Sequence, residues 1–119
     1  MTKQPDLVAL AKEMAIFAKE LEKPIEDSDL GSSLKFRSQA IARLTTIGET
    51  TIYAMKKRHQ DIVDGNEKLP EWKIKVLLEN TDEYRVEALR RRLVKTIEIQ
   101  SNDTRSRLIE RQSERKLQR

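Results

Sequence analysis

The sequence predicts an all-α fold: a small helical bundle that closes in a long C-terminal helix. Three observations carry that expectation. Aromatic residues are only 4% of the 119 residues, whereas charged and hydrophobic residues are 37% each. That balance suits helices with narrow apolar stripes better than strands, which favour aromatic and β-branched side chains. Apolar residues recur at steps of three and four over long stretches, and three Gly with three Pro leave few positions for the turns of an all-β chain.

The first helix is marked by Leu7, Leu10, Met14, Phe17 and Leu21, with Pro5 and Asp6 suited to its first turn and Pro24 stopping it. Residues 24–33 read as an acidic, turn-rich loop. A second helix is expected from near Ser33, with Leu34, Ala40, Ile41 and Leu44 facing inward. It ends around Thr45–Glu49, where Gly48 gives a flexible position. A short third helix runs from about Thr50 to His59. Asp64-Gly65-Asn66 is a turn signal, and Leu69-Pro70-Glu71 opens another helix with Trp72, Val76 and Leu77 or Leu78 on its apolar side. Asn80 or Thr81 can cap the last helix, with Asp82 and Glu83 in its first turn. Tyr84, Val86, Leu89, Leu93 and Ile97 continue its pattern. Ser101-Asn102-Asp103 weakens it, so the last fifteen residues read as a frayed basic tail or a helix paired with a partner.

Composition also excludes functions. The absence of Cys removes disulfides, thiolate metal sites and cysteine nucleophiles. A single His, His59, cannot build a multi-histidine metal site. No run approaches the roughly 18 apolar residues of a membrane span, and the N-terminus lacks a secretory pattern, so a soluble cytoplasmic protein with no cofactor is expected. Asp27/Asp29 and Asp61/Asp64 sit in turns, where Asp serves capping. Trp72 has no aromatic companions and reads as a core anchor or interface plug. No glycine-rich phosphate loop or catalytic triad is present, and the chain does not read as an enzyme.

Charge is unevenly placed. Net charge is +4, but residues 35–60 carry six basic groups and one acidic, a local net of +5, whereas residues 1–34 carry four basic and seven acidic. Such asymmetry points to a polyanionic partner, nucleic acid first and an anionic membrane surface second.

Inside the basic stretch lies Ile47-Gly48-Glu49-Thr50-Thr51-Ile52-Tyr53. A helix-turn-helix needs a small residue where its helices cross (Ala42) and apolar residues closing a small core (Ile47, Ile52, Met55). Hydroxyl residues opening the second helix cap it and reach phosphates or base edges; Thr50 and Thr51 stand there. Over about twenty residues this segment resembles the helix-turn-helix of serine recombinases and DNA invertases, and more loosely that of bacterial repressors. Thr46 takes the turn position that is usually Gly, and Ala54 a position that often carries a long base-reading side chain. The chain has no room for a recombinase catalytic domain, so the resemblance implies DNA binding alone.

The expected organisation is therefore a DNA-binding unit over residues 1–69 and a dimerisation region over residues 70–119. Glu49, Thr50, Thr51, Tyr53 and Ala54 would face the major groove of double-stranded DNA. Lys56, Lys57 and Arg58 would contact phosphates, with Lys35, Arg37 and Arg43 adding positive charge on the approach side. Val86, Leu89, Leu93 and Ile97 would centre a homodimer seam flanked by Arg90 to Arg92. The expected function is a small repressor-like regulator of a bacterium, phage or plasmid. The alternatives are a phage DNA-packaging recognition subunit and, from another class, a helical adaptor acting through its C-terminal helix.

Overall fold

A computed structural model of the chain describes residues 6–117. Four helices follow in order: α1, Leu7–Glu22; α2, Leu30–Gly65; α3, Glu71–Glu79; and α4, Asp82–Leu117. A short 3₁₀ turn, Asp27–Asp29, precedes α2, and there is no strand among the described residues. Asp6 caps α1 by accepting from the Ala9 N–H at 3.1 Å. Pro5 lies outside the described residues.

Two 36-residue helices dominate, each about 54 Å long at 1.5 Å per residue. They pair antiparallel, with Arg37 against Gln100 and Thr51 against Glu87. α1 lies along their lower half and packs mainly on α4. α3 crosses from one long helix to the other at the far end and packs on α2. The result is a rod of 72 × 31 × 19 Å.

The expected break at Thr45–Glu49 is absent, and with it the helix-turn-helix: α2 runs uninterrupted from Leu30 to Gly65. The reason lies in the side chains. Thr45 and Thr46 turn their hydroxyls back to the Ile41 and Ala42 carbonyls at 2.9 and 3.2 Å, a bond made within a helix rather than at a cap. Gly48 has no positive φ. The Arg90 guanidinium lies over it: a Cβ at Gly48 would sit 2.8 Å from Arg90 Cζ. Inward positions Arg37, Ala40, Leu44, Ile47, Thr51 and Ala54 keep steps of three and four across the supposed turn without a change of phase. Ala42, expected at a helix crossing, is exposed, and Ile52 is only half-buried.

Other boundaries moved less. α2 starts at Leu30 instead of Ser33, because Leu30 is itself buried. α3 begins after Pro70 as expected, and the Thr81 hydroxyl caps α4 by accepting from the Tyr84 N–H at 3.3 Å. α4 continues through Ser101-Asn102-Asp103, since Ser101 and Thr104 face inward. It stays helical to Leu117, Gln118 and Arg119 lying outside the described residues, and is tied back to the loop before α2. Arg107 bonds the Ile25 carbonyl at 3.1 Å and pairs with Asp27, and Arg111 bonds the Asp27 carbonyl.

The core joins Met14 and Leu21 of α1, Ala40, Leu44 and Ile47 of α2, and Val86, Leu93 and Ile97 of α4. Each of these side chains other than Ala40 contributes about 1.5–3 kcal/mol on burial. This single cluster draws on both sides of residue 69. Phe17 and Phe36 pack at its edge with ring centroids 6.4 Å apart.

Candidate nucleic-acid interface

Because α2 is continuous, its inward stripe decides which of the expected DNA contacts remain accessible. Three do not. Arg37 is 3% exposed; its Nε and Nη2 donate to Gln100 Oε1 at 3.0 and 2.7 Å, and Nη1 donates to the Ser33 carbonyl at 3.3 Å. Gln100 Nε2 in turn donates to the Leu21 carbonyl at 3.1 Å, so this layer ties α1, α2 and α4 together. Burial lowers the Arg37 pKa from its ordinary value. Thr51 is fully buried, its hydroxyl 3.5 Å from the Gly48 carbonyl and 3.4 Å from Glu87 Oε1. Ala54 lies in the same inward stripe. A phase reset at the supposed turn would have brought Thr51 and Ala54 outward; without it they face α4.

A fourth residue, Arg43, is on the surface but engaged. Its Nε and Nη2 donate to the two Glu13 oxygens at 2.7 and 2.9 Å, a bidentate clasp between α1 and α2. Those hydrogen bonds hold the Glu13 carboxyl below its usual range, outweighing a smaller effect of burial. They raise the pKa of Arg43.

What remains is an outward face on the second half of α2. Glu49, Thr50, Tyr53, Lys56, Lys57 and Arg58 are all exposed, Tyr53 at 66%. No ion pair involves Lys56, Lys57 or Arg58 among the described residues. Thr50, Tyr53 and Lys57 follow steps of three and four and share one side of the helix. Lys35 is exposed on the same outer side, about five turns before Tyr53 at about 3.6 residues per turn.

The expected dimer seam is internal. Val86, Leu93 and Ile97 are buried in the chain's own core, and Leu89 packs against it. The seam had no later element to cover it, but α1 and α2, earlier in the chain, do so.

α4 carries a cationic face that its sequence showed only as the Arg90-Arg91-Arg92 run. Arg85, Arg91, Arg92 and Lys95 are exposed. The one carboxylate between residues 84 and 97, Glu87, is 1% exposed. It is held by Thr51 and by Arg90, whose guanidinium lies over Gly48. Spacing alone could have placed Arg85 and Arg92 on one side of α4, since they stand seven residues apart and each directly precedes an inward residue, Val86 and Leu93.

Two other features complete the surface. Trp72 is 64% exposed on α3, beside exposed Val76 and Leu77, with Lys73 Nζ 5.4 Å from the indole centroid. Trp72 is therefore not a core anchor. A shallow cleft of about 430 Å³ between α2 and α4 is lined by Leu34, Ile41, Glu98 and Arg105 among others. No group of three or more potential metal-ligating side chains occurs among the described residues, and no helix among them is long and apolar enough to cross a membrane. No family model matches this chain, and no curated protein or solved structure is significantly similar to it.

Proposed function

We propose that the chain binds double-stranded DNA through the outward face of the second half of α2 and acts as a small regulator by occupying DNA. The observation that carries this reading is the exposed, unpaired tract Lys56-Lys57-Arg58, with Thr50 and Tyr53 one to two turns before it on the same rigid helix. Phosphate contacts supply most of the affinity of such a surface. Base edges would be met by Glu49, Thr50, Tyr53 and Lys57 from one uninterrupted helix laid in the major groove, rather than by the second helix of a helix-turn-helix. The proposal does not include a homodimer on the Val86–Ile97 seam.

An NMR titration with a short duplex tests it. Amide shifts confined to residues 49–60 and neighbouring α4 support the reading; shifts absent from that segment at low salt contradict it. A helical-adaptor reading finds support on α3 and not on the C-terminal helix for which it was expected, in the exposed Trp72, Val76 and Leu77. It predicts that a protein partner quenches or shifts Trp72 fluorescence while duplex DNA leaves the spectrum unchanged.

A further inference from the structure

We infer that α4 presents a second duplex-binding face, formed by Arg85, Arg91, Arg92 and Lys95, so that one chain bridges two DNA duplexes. The inference rests on the DNA-binding reading of α2 and extends it to a separate surface.

Sign comes first. Between residues 84 and 97 every exposed charge is positive, because Glu87 is turned inward and satisfied by Thr51 and Arg90. Arg91 Nε lies 3.7 Å from Glu87 Oε2, yet its side chain remains 63% exposed and reaches outward. The nearest exposed carboxylates stand at the borders, Asp82 before the patch and Glu98 after it. From Arg85 to Lys95 is about 15 Å along the axis at 1.5 Å per residue. That length spans about four phosphates of one strand at 3.4 Å each.

Direction comes second. At the height of this patch α2 and α4 meet through Thr51 with Glu87 and through Gly48 with the Arg90 guanidinium. The opposite stripe of each helix therefore points away from its partner. At about 100° per residue, Tyr53 and Lys57 stand roughly 150–170° around α2 from that contact line, and Arg85 and Arg92 roughly 170° around α4 from it, so the two sets lie on opposite edges of the pair, with Lys95 flanking the second. The Thr51–Glu87 contact sets both at the same height along the rod. A duplex about 20 Å wide that tracks one edge cannot also reach the opposite edge of a straight two-helix pair, whose axes alone are 8–10 Å apart. Two cationic edges on one rigid body thus call for two duplexes.

The test captures a fluorescent duplex on beads that carry a second, immobilised duplex, with light scattering run in parallel to report the oligomeric state. Fluorescence anisotropy on a single duplex reports binding without bridging. The expected result is capture by a monomeric chain. In the variant R85E/R92E/K95E, capture falls by about tenfold or more at near-physiological salt, while single-duplex binding through α2 persists. All three positions are exposed, and circular dichroism checks that the variant is folded. Single-duplex binding without capture would overturn the bridging inference and leave the α2 reading standing. Absence of any duplex binding would overturn both. Capture that survives in the variant, or that comes only from a multimer, would overturn the α4 assignment. So would a variant that loses binding to anionic vesicles but keeps bridging.

Discussion

At the scale of single residues, the charges of this chain divide into those that hold the bundle and those that face outward. Arg37 belongs to the first group. Replacing it with Met keeps a side chain of similar length in the Gln100 layer. It leaves Gln100 Oε1 without its donors, which should cost about 1–3 kcal/mol of stability. Because Arg37 is buried, folded R37M should nevertheless keep duplex affinity unchanged. Lys57→Ala should weaken binding to every sequence and lower the salt slope by about 1, and Thr50→Ala should relax preference at one base position. A gel-shift series distinguishes these outcomes; an R37M protein that is folded yet fails to bind would place Arg37 at the interface after all. Gly48 gives a second residue-scale test. Gly→Ala inside a helix normally stabilises by about 1 kcal/mol, as expected at Gly31, where a Cβ meets nothing within 4 Å. At Gly48 the new methyl must push aside the Arg90 guanidinium that pairs with Glu87, so G48A should gain less than G31A and recover the difference in an R90A background. Urea titrations of G31A and of the four proteins in that cycle measure the difference.

Glu13 adds a pH dependence. Its folded pKa lies below the ordinary carboxylate value because Arg43 binds the charged form. The pair therefore stabilises the bundle above that ordinary value, and the contribution is lost as pH falls through the folded pKa. Thermal melts should show a steeper acid-side loss of stability in the parent than in E13Q. Equal slopes would show that the clasp does not form in solution.

At the scale of elements, the continuity of α2 separates this structure from a helix-turn-helix. Spin labels at positions 35 and 57, separated by 22 residues, should lie about 33 Å apart along a straight helix, with side-chain tethers broadening the distribution. A turn at residues 45–49 would fold the two halves across each other and give a clearly shorter distance. The sequence contains the information that decides this. The inward pattern from Arg37 to Ala54 keeps its phase through the supposed turn, but two of its six members are Arg37 and Thr51, which hydrophobicity does not mark. α1, α3 and the start of α4 were legible because their apolar steps and caps lie close together in sequence. The burial of Arg37 and Thr51 was not, because it depends on Gln100 and Glu87 across the bundle, and nothing local announces a partner that distant. For the same reason Val86 to Ile97 looked unpartnered: the helices that cover them come earlier in the chain.

At the scale of the whole molecule, one core spans α1, α2 and α4. Truncation after residue 80 should not yield a monomeric DNA-binding fragment; removing α4 uncovers Met14, Leu44 and Ile47 and should leave an unfolded chain by circular dichroism. Leu44→Ala should cost about 2–5 kcal/mol. The outward charge, by contrast, can change without loss of fold. The measurement that most directly tests the account is the salt dependence of duplex binding for the parent and for K56A/K57A/R58A. The account predicts that the slope of log affinity against log salt falls by about 3 in the variant, with the melting curve little changed. An unchanged slope in the folded variant would contradict it and remove the outward face of α2 from DNA recognition.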